Sequence, residues 1–467
     1  MKFNKVTPEA LAHFTAIVGD KHIVLPTNAE HMYAYTHDET EDLRYMPEVV
    51  LKPANAEEIS RIMSYCQENL IPVTPRGAGT GLSGGALAVH GGVILSMERL
   101  NKILDIDERN LQATVEPGVI TQVFQEAVIT RGLFYPPDPS SRGSCFLGGN
   151  LGENSGGPRA VKYGVTKDYV LNMEVVLPTG EITWTGANVL KNATGYNLTQ
   201  LMIGSEGTLG VITKIVFRLI PYPPQNLVML VPFRKYEEAC EAVSKIFRAG
   251  VVPSALEFME RDAIEWTSRY VNVKVDLPED VQAHLLIELD GKEMDLLYQE
   301  AEQVYQVLES FDVGEILVAD TEKQKADLWH LRRNVGHAVK SNSIYKEEDT
   351  VVPRAELPKL LKGVKEIGSK YNFRSVCYGH AGDGNLHINI VKGDMTDDDW
   401  NNKLPEGIKE IFRLCVSLGG TISGEHGIGL VQRPYINIAV SEVQLRLMKG
   451  IKQLLDPNGI LNPGKIF

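Results

Sequence analysis

The sequence YGHAGDGNLHIN, residues 378–389, holds two histidines on either side of an Asp-Gly pair. Asp-Gly favours a two-residue type I′ hairpin turn, because both central positions of that turn need a positive φ. A turn at Asp383 and Gly384 would place His380 directly opposite His387, with Cβ atoms roughly 4.5–5.5 Å apart. The same register would place Tyr378 opposite Asn389 on the histidine face. Two imidazoles at that separation can bind one divalent cation; the alternative is an exposed histidine pair without a metal.

Two further segments carry side chains of the same chemical kind. In SGEHG, residues 423–427, Glu425 and His426 are adjacent between glycines, so they can point in different directions and approach a ligand closely. Alone, such a segment is typical of a solvated loop. Arg332, in LWHLRRNVGHAVK, falls on a predicted helix and can pair with a carboxylate; the alternative is a solvated surface arginine.

The glycine-rich stretch TPRGAGTGLSGG, residues 74–85, contains a GxGxxG pattern at Gly79, Gly81 and Gly84. A nicotinamide-binding Rossmann turn would need a helix opening on the last glycine. Only eight residues separate Gly84 from the apolar run that begins at Val93, whereas a helical crossover takes at least about ten to twelve. The pattern therefore predicts a glycine loop without a helix, which can still present backbone N–H groups to phosphate in a different nucleotide-binding fold.

Four further segments of the first half belong with this loop. Residues 134–139 (FYPPDP) are a rigid, proline-rich turn, and residues 147–157 (LGGNLGENSGG), 162–164 (KYG) and 203–213 (IGSEGTLGVIT) contain glycine. Each alone is compatible with a surface turn. Together, in a domain of otherwise regular strands, they indicate that a long ligand lies against bare backbone at several points.

Length and composition limit the class of protein. A chain of 467 residues exceeds one ordinary core, so two domains are expected, with three as an alternative. The net charge of −13 argues against a nucleic-acid surface. Five scattered cysteines without a CxxC pair give no iron–sulfur ligand set. The sequence MKFNKVTPEALAHF lacks an apolar signal segment, so a cytoplasmic location is expected.

The segment 221–224, Pro-Tyr-Pro-Pro, ends the pattern of the first half, since three prolines in four residues suit neither a helix interior nor a central strand. We therefore predict domains at 1–220 and 221–467. Beyond the boundary, predicted strands at 227–233, 256–259 and 284–289 alternate with predicted helices at 236–249 and 294–310, which indicates an α+β or α/β layer.

The order of these motifs resembles the vanillyl-alcohol-oxidase type of FAD-linked oxidases, in the branch of D-lactate dehydrogenases, D-2-hydroxyglutarate dehydrogenases and the catalytic subunit of glycolate oxidase. The resemblance covers nearly the whole chain. It implies an α+β fold, with a two-lobed FAD-binding domain followed by an α+β substrate domain that carries an antiparallel sheet. Many relatives attach the flavin through a histidine in the first glycine loop. Residues 75–85 contain no histidine, so we expect non-covalent FAD, and we interpret Cys145 as a buried thiol rather than a flavin thioether.

The resemblance also implies which residues bind FAD: residues 76–81 at the pyrophosphate, residues 148–157 at the flavin and ribityl chain, and Glu206 with residues 210–212 near the adenine end. The full set is Pro75, Arg76, Gly77, Ala78, Gly79, Thr80, Gly81, Pro137, Asp138, Gly148, Gly149, Asn150, Asn154, Ser155, Gly156, Gly157, Tyr163, Gly164, Glu206, Gly210, Val211, Ile212 and Asn462.

For the chemistry, the resemblance implies that His380, His387 and Glu425 bind a divalent metal and that His426 is the catalytic base. Zinc, iron and manganese all suit this ligand set. A cation that binds the 2-hydroxyl and carboxylate of a 2-hydroxy acid acidifies the alcohol. His426 can then take the proton, and a hydride passes to flavin N5. The resemblance assigns the substrate carboxylate to Arg332, and we expect Asn389 to bind substrate as well.

One departure bears on the substrate. Relatives that act on 2-hydroxyglutarate have a lysine six residues before a proline, where it meets the second carboxylate. Here Glu347 stands at that distance from Pro353, and Lys346 is one position off. The sequence therefore favours a small anionic monocarboxylate, D-lactate or glycolate, with a D-2-hydroxyglutarate dehydrogenase as the alternative.

Two other classes of protein remain as rivals. A non-catalytic FAD-binding subunit of a glycolate oxidase would lack the hairpin histidines, which are present. A flavin-free metal hydrolase or Fe(II) oxygenase would leave the glycine loops without a role. The expected electron acceptor is a quinone, an electron-transferring flavoprotein or an iron–sulfur subunit. A homodimer and peripheral attachment at the inner membrane face are compatible with the sequence.

Overall fold

A computed structural model of the protein describes residues 3–40, 43–275 and 277–467. The chain forms two units: one of Met1–Gly156, Val165–Tyr222 and Glu425–Phe467, the other of Gly157–Gly164 and Pro223–Gly424. The boundary after Tyr222 lies inside the proline-rich segment 221–224. The return of residues 425–467 to the first unit, and the placement of residues 157–164 in the second, had no counterpart in the two contiguous domains expected from the sequence.

The first unit contains most of the short strands and glycine loops. Its helices are α1 (Pro8–Val18), α2 (Ala29–Tyr33), α3 (Ala56–Asn69), α4 (Thr121–Ile129), α5 (Leu147–Glu153), α7 (Leu198–Met202), α15 (Ile436–Ala439) and α16 (Glu442–Leu455). Its strands are β1 (Ile23–Val24), β2 (Val49–Leu51), β3 (Val73–Arg76), β4 (Val93–Ser96), β5 (Ile103–Asp107), β6 (Gln112–Val115), β7 (Leu133–Phe134), β8 (Val170–Val176), β9 (Ile182–Trp184), β10 (Val211–Arg218) and β11 (Ile220–Pro221).

Helix α3 begins directly after Asn55, which is its N-cap residue. The side chain of Asn55 accepts a hydrogen bond from the backbone N–H of Glu58, which caps the first turn. The carboxylate of Glu58 in turn accepts from the N–H of Ala54 at 2.7 Å. The first bond satisfies an N–H group that a helix start leaves unpaired, and the second ties the residue before the cap to the first turn.

Strands β3 and β4 are parallel neighbours in a sheet of order β1-β2-β4-β3. Residues 77–92 join them and contain no helix, which confirms the predicted glycine loop and the absence of a Rossmann crossover. The second sheet has the order β5-β6-β10-β8-β9 and is antiparallel throughout. The core of this unit joins Phe14 and Ile59 with Val73, Val211 and Leu461, so it includes residues near both ends of the chain.

The second unit is built on one antiparallel sheet of order β15-β12-β14-β13-β17-β18-β16. Its strands are β12 (Gln225–Phe233), β13 (Ala255–Glu260), β14 (Ala283–Gly291), β15 (Leu317–Val318), β16 (Tyr345–Val351), β17 (Arg374–Gly379) and β18 (Asn385–Val391). Its helices are α6 (Ala160–Tyr163), α8 (Tyr236–Arg248), α9 (Arg261–Val271), α10 (Met294–Leu308), α11 (Glu322–Arg333), α12 (Val335–Asn342), α13 (Leu357–Tyr371) and α14 (Leu404–Ser417). The antiparallel sheet and the predicted strands and helices between residues 227 and 310 are confirmed.

In the part of the chain that the structure describes, no helix has the length and apolar character that a membrane crossing requires.

Candidate active site

The turn between β17 and β18 brings the two hairpin histidines together by a different route from the predicted one. The observed register pairs Tyr378 with His387 and Val376 with Asn389, so the predicted pairing of His380 with His387 is wrong by two residues. His380 lies instead in a five-residue loop, 380–384. Because a shift of two residues keeps every side chain on its face, the rings of His380 and His387 still meet, with centroids 5.5 Å apart and planes at 81°.

Backbone hydrogen bonds to residues outside the hairpin fix the conformation of this loop. Gly382 donates its N–H to Leu256 O at 3.0 Å, and Gly384 O accepts the N–H of Val352 at 3.1 Å. Gly384 has φ +88°, whereas Asp383 does not have the positive φ that a type I′ turn requires. The Asp383 side chain instead accepts the N–H of Asn385, a local turn typical of Asp.

Both histidine side chains are buried beside carboxylates of the second unit. His380 Nδ1 lies 2.9 Å from Glu257 Oε2. His387 Nδ1 lies 3.4 Å from Glu347 Oε1 and 3.8 Å from Asp349 Oδ1. An Nδ1–H that faces a carboxylate leaves Nε2 as the acceptor nitrogen, which is the form that binds metal ions. The burial of the pair excludes the alternative of an exposed cross-strand pair.

Arg332 and Asn389 are also buried in this unit. Arg332, 3% exposed, lies on α11 with Nη2 2.6 Å from Glu257 Oε2 and its Cζ 5.2 Å from the centre of the Tyr378 ring. The alternative of a solvated arginine is therefore excluded. Arg332 Nε and both amide atoms of Asn389 have no hydrogen-bond partner among the described residues. Buried polar atoms are nearly always hydrogen-bonded, so these atoms are available to a polar ligand.

The acid–base state of the cluster follows from burial and charge. Burial would raise the pKa of Glu257, but the adjacent His380 and Arg332 hold it below its ordinary value, so the carboxylate is ionised. Burial raises the pKa of Tyr378 well above its ordinary value, and the charge of Glu347 raises it further. Tyr378 is therefore a neutral phenol at physiological pH.

Glu257 is a buried carboxylate beside His380 and Arg332 that the sequence analysis missed. It is a charged residue in the middle of the otherwise apolar run Ala255–Met259 of strand β13, and it is fully buried. That pattern is the signal that could have identified it, because a buried charge is retained only with partners. Its partners, His380 and Arg332, lie far along the chain and cannot be inferred from spacing.

Glu425 and His426 belong to the first unit, where the chain after them is held by Glu206. The Glu206 carboxylate accepts the N–H groups of Ile428 at 2.7 Å and Gly429 at 2.6 Å. In the second unit, Gly424, the residue before Glu425, donates its N–H to Asp349 Oδ2 at 2.8 Å. The residues on either side of Glu425 and His426 are thus each hydrogen-bonded within their own unit.

The first glycine loop is braced by Arg76, which follows Pro75 at the end of β3. The guanidinium donates to His37 O at 2.7 Å and to Ala34 O at 2.9 Å, so this side chain is engaged with the protein. A Cβ at Gly79, whose φ is +76°, would lie 2.2 Å from Arg76 Nη2. A Cβ at Gly81 would meet no atom within 4 Å. Because the Arg76 guanidinium is engaged, the predicted phosphate site of this loop depends on the backbone of Gly77, Ala78, Gly79, Thr80 and Gly81.

The second glycine segment is helical at its start, because Gly148, Gly149 and Asn150 lie in α5. A Cβ at Gly148 would lie 2.5 Å from Pro117 Cβ, whereas Gly149 faces open space. Asn150 donates to Thr121 Oγ1 at 2.6 Å, and Asn154 ends the helix with φ +55°. Glycines that face open space on two segments suit a ligand that lies against backbone.

The remaining predicted FAD residues have the following positions. Pro137 O accepts from Gln125, and Asp138 is buried with Oδ1 3.1 Å from Arg142 Nη1.

Ser155 and Gly156 lie in the first unit. Gly157, Tyr163 and Gly164 lie in the second unit, where the Tyr163 hydroxyl donates to Asp290. Gly210 lies directly before β10, and Val211 and Ile212 are its first residues, beside β8. Asn462 donates to Glu206 O and Gly85 O. Cys145 is a buried thiol.

Comparison with known proteins agrees with these features. A solved structure of p-cresol methylhydroxylase matches 98% of this chain and 96% of its own, with a TM-score of 0.77 and 20% identity, which shows a shared fold. Residues 47–186 match the model of an FAD binding domain. Fold and glycine loops together define an FAD-binding oxidoreductase.

Residues 222–466 match the model of the FAD-linked oxidase C-terminal domain, and the chain belongs to the FAD-linked oxidases. It is 41% identical to glycolate oxidase subunit GlcD of Bacillus subtilis, over 93% of this chain and 92% of the relative. It is 39% identical to a D-lactate dehydrogenase of Anaerostipes hadrus, over 100% and 98%. The resemblance drawn from the sequence motifs is confirmed.

Proposed function

We propose that this protein oxidises a small D-2-hydroxy acid, D-lactate or glycolate, to the 2-oxo acid, with non-covalent FAD as hydride acceptor and a divalent metal held by His380, His387 and Glu425. The observation that carries the proposal is the buried His380–His387 pair together with the unpartnered atoms of Arg332 and Asn389. Two imidazoles suit a divalent cation. A guanidinium and an amide suit a carboxylate and a hydroxyl.

Each protein group has a distinct part in this proposal. Arg332 binds the substrate carboxylate and Asn389 orients the substrate by hydrogen bonds. His426 takes the hydroxyl proton, because an imidazole has a pKa near the working pH. When bound, the metal makes the hydroxyl more acidic and FAD accepts the hydride.

The substrate class is supported by the faces of strand β16. Glu347 pairs in register with Asn389, and its Oε1 lies 3.4 Å from the Tyr378 hydroxyl, so a carboxylate faces the substrate-binding residues. Lys346 lies on the other face, with Nζ 5.1 Å from the centre of the Trp400 ring. A second substrate carboxylate near Glu347 would meet a like charge. This arrangement favours a monocarboxylate over D-2-hydroxyglutarate.

Electrons must leave the reduced flavin for a second protein or a small carrier. We propose a quinone, an electron-transferring flavoprotein or an iron–sulfur subunit as acceptor, and a cytoplasmic location with the inner membrane face as the alternative. The occurrence of a relative named as a subunit supports a partner protein.

The test is anaerobic bleaching of the bound flavin by D-lactate, glycolate and D-2-hydroxyglutarate, followed by turnover with an artificial dye. We expect bleaching by D-lactate or glycolate and little by D-2-hydroxyglutarate. His426→Ala should retain flavin but lose bleaching by on the order of 10²–10⁴-fold in rate, as expected for loss of a general base. Unimpaired bleaching by that variant would remove His426 from the proposed role.

A further inference from the structure

Strand β13 places a carboxylate where its sequence neighbours are all apolar. Glu257 is fully buried between Leu256 and Phe258, both also fully buried. Burial of an ionised carboxylate costs several kcal/mol unless good partners compensate. The position therefore calls for a reason beyond folding, and its contacts supply one.

Glu257 contacts two functional side chains at once. Its Oε1 and Oε2 lie 3.0 and 2.9 Å from His380 Nδ1, and Oε2 lies 2.6 Å from Arg332 Nη2. A carboxylate that accepts from Nδ1–H fixes both the orientation of the imidazole and the tautomer that offers Nε2 to a metal. The same carboxylate balances the charge of the buried guanidinium.

The contact with Glu257 leaves part of Arg332 available. Arg332 Nε has no hydrogen-bond partner in the described chain. The guanidinium is planar and rigid, so an ion pair at Nη2 fixes the direction in which its remaining N–H groups point. One carboxylate thus sets the geometry of a metal ligand and of the group that binds the substrate carboxylate.

We propose that Glu257 is a positioning residue that orients His380 for metal binding and Arg332 for substrate binding. This inference rests on the proposed function, because it concerns the same metal and substrate. It predicts that loss of the contacts of Glu257 with His380 and Arg332 weakens two separate binding events, that of the metal and that of the substrate.

The first measurement is metal affinity. Full-length, FAD-loaded protein is stripped of metal with a chelator and titrated with Zn²⁺ against a chromophoric competitor. Glu257→Gln should raise the Zn²⁺ dissociation constant roughly 10- to 100-fold, the usual effect of removing the partner of a metal-bound histidine. Glu260→Gln is the matched control, because Glu260 is a buried carboxylate on the same strand that pairs with Lys365 at 2.7 Å. It should leave the affinity unchanged within twofold.

The second measurement separates positioning from general damage. With saturating Zn²⁺, Glu257→Gln should still raise KM for D-lactate at least tenfold with a smaller effect on kcat, while Glu260→Gln should not. If Glu257→Gln fails to fold, Glu257→Asp carries the same two predictions, because the shorter side chain moves away from His380 and keeps its charge.

The outcomes distinguish the two proposals. If the wild-type protein binds Zn²⁺ and the Glu257 variants bind it as tightly as Glu260→Gln, the positioning role is wrong and the proposed function stands. If the wild-type protein binds no divalent cation, the proposed metal ligand set is wrong, and the role of Glu257 towards His380 falls with it.

Discussion

Asn389 is a buried side chain whose donor and acceptor atoms both lack partners among the described residues. A protein that uses such a residue for binding gives up stability at that position, because an unsatisfied buried polar group costs free energy. We predict that Asn389→Leu, in which the new side chain has nearly the same size, leaves the free energy of unfolding unchanged or raises it by about 1 kcal/mol. The same change should lower kcat/KM for D-lactate by at least roughly tenfold, because the protein loses one hydrogen bond to a charged group of the substrate. Urea unfolding and dye-linked turnover measure the two effects.

Asn172 provides the matched control for this substitution. It is also buried, but its side chain donates to Asn188 Oδ1 and accepts from the N–H of Gly186. Asn172→Leu should therefore destabilise the protein. If Asn389→Leu destabilises as much as Asn172→Leu does, Asn389 has a structural rather than a binding role.

His284, on β14, makes stability depend on pH. Burial lowers its pKa to about 4, with a further contribution from Arg261. The unfolded chain therefore takes up the proton more readily, and stability is lost as pH falls from about 6.5 towards 4. We predict that His284→Leu reduces the loss of unfolding free energy between pH 7.5 and pH 5 by about 2 kcal/mol. This value follows from ~1.4 kcal/mol for each pH unit below the ordinary histidine pKa. Urea unfolding at both pH values measures this change in the free energy of unfolding.

At the scale of the element, the loop between β17 and β18 shows how far sequence reasoning reaches. The Asp-Gly pair predicted a hairpin with a turn, and the register of that hairpin predicted the face shared by His387 and Asn389. The predicted register was wrong by two residues. The loop forms backbone hydrogen bonds with Leu256 and Val352, which lie outside the hairpin sequence, and these bonds favour a five-residue loop over a two-residue turn. Glu257 has a local signal, a charge within an apolar strand, but its partners His380 and Arg332 are remote in sequence. Local pattern predicts elements, whereas long-range contacts decide the details of a site.

A substitution at Gly384 would test how much the conformation of that loop contributes to stability. A Cβ there would lie 1.9 Å from Val352 O, in addition to the strain of φ +88°. We predict that Gly384→Ala lowers the free energy of unfolding by about 3 kcal/mol or more, since a backbone clash adds to the left-handed penalty of ~1–2 kcal/mol. Gly393→Ala, with φ +48° and no atom within 4 Å, should show only that penalty. Equal losses in the two variants, measured by urea unfolding, would contradict the role assigned to the Val352 contact.

At the scale of the whole molecule, Asn462 joins segments that are distant in the chain. Its Nδ2 donates to Gly85 O at 3.0 Å and to Glu206 O at 2.8 Å. We predict that Asn462→Ala lowers the free energy of unfolding by about 2–4 kcal/mol, since two carbonyls lose their donor, and weakens FAD binding. Flavin fluorescence during dilution measures the latter. Asn462→Gly, which removes the strain of φ +43°, should still lose FAD; retained affinity would show that backbone strain, not the side-chain bonds, caused the effect.

The parallel bridge between Val73 and Leu461 has a consequence for biosynthesis. Val73 donates its N–H to Ile460 O and accepts that of Asn462, so β3 stays without this partner until most of the polypeptide has left the ribosome. At ~5–20 residues per second, that interval lasts roughly twenty seconds or longer. A nascent chain with an open sheet edge is prone to aggregate. We therefore expect that recombinant expression depends on chaperones during translation. Aggregation of the nascent chain, rather than low stability of the folded protein, would limit the yield.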